Sequence, residues 1–143
     1  MIHTPERAKQ VIDFEGLTYE KLHPTDIDAV LEFDNEYLIL VETKIENFGG
    51  MPRIPLGQEL AYHRIADAWA ETKKGAFVVY TTHNTKPDET IYLKDTLVRW
   101  VYNASSKHNT YYENGELQPL KDWLKNLNFI WDCEKLRNIN KSD

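Results

Sequence analysis

Ile27-Asp28-Ala29-Val30-Leu31-Glu32-Phe33 and Tyr37-Leu38-Ile39-Leu40-Val41-Glu42-Thr43-Lys44 are two strand-like runs separated by Asp34-Asn35-Glu36, which is hairpin chemistry. In the second run both parities begin apolar, with Tyr37, Ile39 and Val41 on one face and Leu38 and Leu40 on the other. Such a strand is covered on both sides. Downstream, 76–82 is a further apolar strand. Between the two, a helix is expected from 56 or 57 to about 73, ending before Gly75, with Gln58, Ala61, Tyr62, Ile65, Ala68 and Trp69 as its inward stripe. A helix joining two strands is the crossover of an α/β sheet. Working outward, 96–103 and 109–112 read as strands, Asn114-Gly115 as a turn and 120–127 as a closing amphipathic helix. Residues 47–55 read as a flexible loop. Upstream, Thr4-Pro5-Glu6 reads as a helix start and Gly16 as its stop, so a first helix is expected over 5 to 14 or 15, followed by a strand over 17–22.

The 143 residues suit one domain spanning 1–143. With 41% hydrophobic residues, 6 Gly and 6 Pro, the composition allows a packed core and argues against disorder or a fibrous repeat. Apolar runs are too short to span a bilayer, and Glu6, Arg7 and Lys9 stand where a signal peptide would be apolar, so a cytoplasmic protein without membrane contact is expected. Cys133 is the one cysteine, which excludes an intrachain disulfide and a cysteine zinc cluster. The net charge of −6 is unusual for a nucleic-acid binder. It is unevenly spread: residues 1–50 hold 11 acids and 4 bases, net −7, whereas 51–143 hold 12 acids and 13 bases, net +1.

Chemistry enters through the hairpin register. If Phe33 pairs with Tyr37, then Asp28 lies opposite Glu42 and Asp26 opposite Lys44, with Cβ atoms about 4.5–5.5 Å apart. Residues two apart share a face, so Asp26, Asp28, Glu42 and Lys44 would form one cluster. A two-residue loop would set Asp28 against Thr43 and dissolve it. Opposed carboxylates repel unless something positive lies between them, and Mg²⁺ or Mn²⁺ prefers such oxygen ligands. Lys44 beside that ion would orient or deprotonate a water, or stabilise charge on a phosphate oxygen.

Pro24-Thr25-Asp26-Ile27-Asp28, an apolar strand and then Glu42-Thr43-Lys44 resemble the signature of the PD-(D/E)XK nuclease superfamily, an acid on one strand and acid-x-Lys on the next. Glu15 falls where many members carry an additional acid. Gln58 with Tyr62 is similar to the Q-x-x-x-Y motif of the RecB-type branch. The expected order helix-strand-strand-strand-helix-strand is also that superfamily's core. The resemblance covers residues 5–82 and extends to small phage and bacterial members. It implies a restriction-endonuclease-like core, a central mixed sheet flanked by helices, with a C-terminal β-hairpin and helix added.

By the same resemblance, Asp28, Glu42, the Thr43 carbonyl and Glu15 would bind Mg²⁺ or Mn²⁺, and Lys44 would act on the nucleophilic water. Gln58 would position Lys44, Glu42 or a phosphate, with Tyr62 behind it. Asp26 competes with Asp28 as the motif acid, Asp28 fitting spacing and register better. The implied activity is metal-dependent hydrolysis of DNA, single-stranded, duplex or branched, by a monomer or a homodimer. The alternative is a nuclease-like module that binds DNA structures or proteins without cleaving.

For substrate contact the candidates are Arg53, Lys73, Lys74 and Lys86, with Trp100, Tyr102, Tyr111 and Tyr112 as stacking surfaces or core. The five histidines are dispersed without an H-E-x-x-H pattern. Gly49-Gly50 lacks the Lys-Ser or Lys-Thr of a P-loop, and no G-x-S-x-G nucleophile motif is present. A two-carboxylate glycosidase would want an open sugar cleft and has no use for Lys44.

Overall fold

The structure, a computed structural model, describes residues 11–18, 20–46 and 50–141. Five strands form one mixed sheet in the order β1 (Ala29–Phe33), β2 (Tyr37–Ile45), β3 (Gly75–His83), β4 (Leu97–Asn103), β5 (His108–Tyr111). Strands β2 and β3 are parallel and the other neighbours antiparallel. Helix α1 (Leu56–Ala70) makes the parallel crossover, and α2 (Leu120–Lys141) follows the β4–β5 hairpin. Among the described residues, no helix is long and apolar enough to cross a membrane.

The hairpin forms in the register that places Phe33 opposite Tyr37 and Ala29 opposite Val41. Asp34 and Asn35 both take left-handed φ (50° and 59°), and the Glu36 amide donates to the Phe33 carbonyl at 2.9 Å. That primed turn matches the twist of the two strands and locks the register. On one face of the sheet Leu38, Leu40, Ala76, Val78, Tyr80 and Tyr102 pack with Tyr62 and Ala66 of α1. On the other, Ile39, Val41, Val79, Val98 and Val101 pack with Leu120 and Trp123 of α2. Strand β2 is thus covered on both sides, as its two apolar parities require.

Several expectations need correction. The first helix is expected partly on residues 1–10, outside the described residues, but 11–14 are not helical and 15–16 form a turn. Val11 and Ile12, the apolar residues of this stretch, are 89% and 80% exposed. A short helix is marginal without packing, and Asp13 competes for its backbone by accepting the Glu15 amide at 2.8 Å. Described residues within 17–22 form no strand: Glu20 takes a left-handed φ of 52°, and Leu22 makes only an isolated bridge. Among the described residues the core order is therefore strand-strand-helix-strand. Helix α1 ends at Ala70 rather than 73, and its stripe is rotated: Ala66 is buried while Ile65 and Ala68 are exposed. Its return to β3 depends on Gly75, where a Cβ would lie 2.4 Å from the Tyr37 ring.

Candidate active site

Strand β1 leaves the ladder at Ala29, and this early departure builds the site. Asp28 turns its carboxylate, rather than its backbone, toward β2: Oδ2 accepts the Thr43 amide at 2.8 Å. A residue's N–H and C=O point to the same side of a strand, so the Thr43 carbonyl also faces the gap where β1 has ended. One step back along β2, Glu42 is buried, 4% exposed. Its Oε1 meets the Lys44 ammonium at 3.0 Å, and its Oε2 accepts the Tyr62 hydroxyl at 2.6 Å.

Helix α1 supplies the supporting groups. Tyr62, 0% exposed, places its hydroxyl against both Glu42 and the Asp26 carbonyl. Gln58, one turn earlier, donates from Nε2 to the Tyr62 oxygen at 2.8 Å and to the Asp26 carbonyl at 3.3 Å. Positions i and i+4 share a helix face, so the two reach the same spot. The Gln58 Oε1 is buried with no hydrogen-bond partner among the described residues.

Electrostatics agree with this crowding. Burial raises the Asp28 pKa; the Thr43 amide opposes that, while the negative charges of Glu42 and Asp26 raise it further. Burial and the hydrogen bond to Glu42 push the Tyr62 phenol far up, so it remains a donor. A cleft of about 640 Å³ opens at this cluster, with Lys21, His23, Asp26, Lys44, Gln58 and Arg64 in its walls.

The structure brings Asp28, Glu42, Thr43, Lys44, Gln58 and Tyr62 together. Asp26 joins through its carbonyl and its charge, its side chain being exposed; Lys44 pairs with Glu42 rather than with Asp26. Glu15 lies in an exposed turn and touches none of these groups among the described residues. Arg53 is exposed on the segment leading into α1. Lys73 and Lys74 stand at the far end of the sheet. Gly75 pairs with Tyr37, five positions before Glu42, which is about 17 Å of strand. There Lys74 sits 5.1 Å over the Trp69 ring. Lys86 follows β3, its amide bonded to Glu89 at 3.0 Å.

Of the aromatics, Tyr102 is buried in a stack with His63 at 4.0 Å, and Tyr112 packs toward α2. Trp100 stacks between Tyr80 and an exposed Tyr111.

Sequence reasoning missed Lys21, His23, Arg64 and Arg99. Gly57, Ala61 and Arg64 follow i, i+4, i+7, which would have placed Arg64 on the cleft side of α1. Arg99 interrupts the apolar run Val98-Arg99-Trp100-Val101, and that interruption was its signal.

The donors suit a hard cation in type. Two carboxylates forced together and a carbonyl facing the same gap are oxygen ligands, and Mg²⁺ keeps several waters when so few protein groups bind it. Among the described residues no group of three His, Cys, Asp or Glu side chains that could hold a metal ion is assembled, so the expected donors that meet here are Asp28, Glu42 and the Thr43 carbonyl. Comparison with protein-family models, with curated proteins and with solved structures gave no match.

Proposed function

We propose that this chain is a metal-dependent deoxyribonuclease with a restriction-endonuclease-like core, similar to the PD-(D/E)XK superfamily. The observation that carries the reading is the convergence of Asp28, Glu42 and Lys44 where β1 leaves the sheet, with Lys44 in the wall of a cleft that also holds Lys21, His23 and Arg64. Asp28, Glu42 and the Thr43 carbonyl would hold Mg²⁺ or Mn²⁺, which when bound makes water acidic and polarises a phosphoryl oxygen.

The chain's own residues supply the rest. Tyr62 keeps its proton on the hydroxyl and fixes Glu42 by donating to Oε2, while Gln58 fixes Tyr62. The Lys44 ammonium, about one-third exposed and 3.0 Å from Glu42 Oε1, reaches the cleft and donates to a phosphate oxygen or to the attacking water. Water adds to phosphorus, one P–O ester bond breaks, and a proton from the water ends on the leaving oxygen. Lys21, His23 and Arg64 line the wall along which flanking phosphates would run. The acidity of residues 1–50 is then partly the acidity of the site itself.

One observation favours the non-cleaving module: both Glu42 oxygens are already engaged, by Lys44 and by Tyr62. The deciding experiment incubates the protein and its Lys44→Ala variant with single-stranded, duplex and branched DNA, with Mg²⁺ or Mn²⁺ and with chelator. Cleavage that needs the cation and fails in the variant is expected. Cleavage that survives chelator, or is unchanged in the variant, sinks the nuclease reading. Tight DNA binding without any cleavage establishes the module.

A further inference from the structure

Arg99 is 2% exposed, yet it is paired with a carboxylate that is not buried. Its Nε donates to Thr82 Oγ1 at 3.0 Å, Nη1 to Asn114 Oδ1 at 2.9 Å and Nη2 to Glu46 Oε1 at 3.1 Å. A guanidinium has five N–H groups in a planar fork, so these contacts use one per nitrogen and leave one on each terminal nitrogen without a partner among the described residues. The charged partner, Glu46, has its side chain 38% exposed and meets the fork at one point instead of two. A permanent clamp would bury both charges, because a half-solvated carboxylate compensates a desolvated cation poorly.

Two further features surround this guanidinium. Gly50, at φ +80°, lies so close that a Cβ there would sit 2.7 Å from Nη1. The backbone is thus moulded to the arginine. A cavity of about 450 Å³ adjoins it, with Met51, Tyr112, Glu113, Asn114 and Gly115 in its walls. Among the described residues Glu113 is the one acid in these walls, and its carboxylate is turned back to cap the short turn Asn114–Glu116. Thr82, which holds Nε, is the register partner of Lys44. Arg99 therefore stands two strands from Lys44, about 10 Å across the sheet.

We propose that the Arg99 fork is a phosphate seat, closed in the free protein by the Glu46 carboxylate, which a phosphate displaces. A phosphate presents two oxygens in the plane of the fork and a higher charge density than the single Glu46 contact. The ligand class is a phosphate ester of a nucleic-acid strand, either an internal diester or a terminal monoester. This deepens the nuclease reading by giving the strand a second anchor beyond the cleft, and it rests on that reading for the ligand's identity alone.

The test follows the Arg99 Nε–Hε signal by NMR in chelator, where cleavage does not enter. The titrants are inorganic phosphate, a 5′-phosphorylated trinucleotide and its 5′-hydroxyl form. The Arg99 signal should move with saturation. Glu46→Gln should tighten phosphate binding about three- to tenfold by removing the competing charge, and Arg99→Lys should weaken it at least about tenfold. A preference for the 5′-phosphate identifies a terminal monoester, and equal binding of both trinucleotides identifies the diester. A silent Arg99 signal at millimolar phosphate, or weaker binding in Glu46→Gln, overturns the seat. If Arg99→Lys fails to fold, the wild type and Glu46→Gln still decide, since a purely structural ion pair predicts no gain. Loss of cleavage with an intact titration removes the nuclease reading alone; cleavage with a silent Arg99 removes the seat alone.

Discussion

The two faces of β2 begin alike and end differently. Toward α2, Ile39 and Val41 continue into a wall of Val79, Val98, Val101, Leu120 and Trp123. Toward α1, Leu38 and Leu40 start the same way and are then followed by Glu42 and Lys44, with Tyr62 and Gln58 of the helix placed to receive them. The α2 face is polar at that level too, but passively: the Thr43 and Thr81 hydroxyls, register partners, are buried with no hydrogen-bond partner among the described residues. Apolar burial holds the sheet from both sides, while the charged pair of β2, Glu42 and Lys44, lies on one face at the level where β1 no longer pairs. A carboxylate can be buried there because Lys44 and Tyr62 each satisfy one of its oxygens, whereas an unpaired charge would cost several kcal/mol.

Substitutions that treat the two faces separately test this contrast. The largest effect is expected on the α1 face and mainly on function: Lys44→Ala should lower the cleavage rate about 10²–10⁴-fold, and should also lower the thermal midpoint by several degrees because the buried Glu42 loses its cation, read by single-turnover kinetics and calorimetry. On the α2 face, Trp123→Ala should do the reverse. Removing this buried indole, which meets Phe77 edge-on at 5.6 Å, should cost about 3–5 kcal/mol by denaturant titration. Cleavage at a temperature where the variant stays folded should be little changed; a large loss there would mean that the faces are coupled.

Tyr62→Phe lies between the two. It leaves the buried Glu42 Oε2 without its donor and should cost about 1–3 kcal/mol together with part of the activity. An unchanged midpoint would show that water replaces the phenol. The smallest effect on stability is in Asp28→Asn, where only the direction is of interest. The folded protein holds the Asp28 pKa above its ordinary 3.8, so the carboxylic acid's contribution to stability is present below 3.8 and is lost as pH rises through the raised value. Asparagine, which still accepts the Thr43 amide, should therefore raise the midpoint slightly at pH 7 and give no advantage below pH 3.8, while abolishing cleavage. A midpoint difference that does not vary with pH would refute the raised Asp28 pKa, which burial causes first and the Glu42 charge reinforces.

Much of this face was legible beforehand. The hairpin register followed from the loop Asp34-Asn35-Glu36, because turn chemistry is local, and it runs as far as Ala29 opposite Val41, beyond which Asp28 turns its carboxylate to the Thr43 amide. The pairing of Gln58 with Tyr62 followed from helical spacing. The described end of the first helix was misread: residues 11–14 are not helical, and Val11 and Ile12 satisfy a periodic pattern while standing exposed. The reading of Lys73 and Lys74 as substrate contacts took no account of strand direction: β2 and β3 are parallel, so the end of α1 falls at the opposite edge of the sheet from Lys44. Ile65 and Ala68 were placed inward by a stripe about one residue out of phase, a small angular error that decides which side of α1 lies on the sheet.

By itself the sequence determined the alternation of apolar and polar residues, the primed turn, the β2–α1–β3 crossover and the acid-x-Lys end of β2, since each is written in neighbours along the chain. Only the tertiary structure decided that β1 stops at Ala29 and frees the Asp28 carboxylate. It alone brought Lys21, His23 and Arg64 into one cleft, and alone set a buried Arg99 two strands from Lys44. Those outcomes depend on contacts between residues up to 53 positions apart, as Arg99 and Glu46 are, and periodicity along the chain holds no record of such distances.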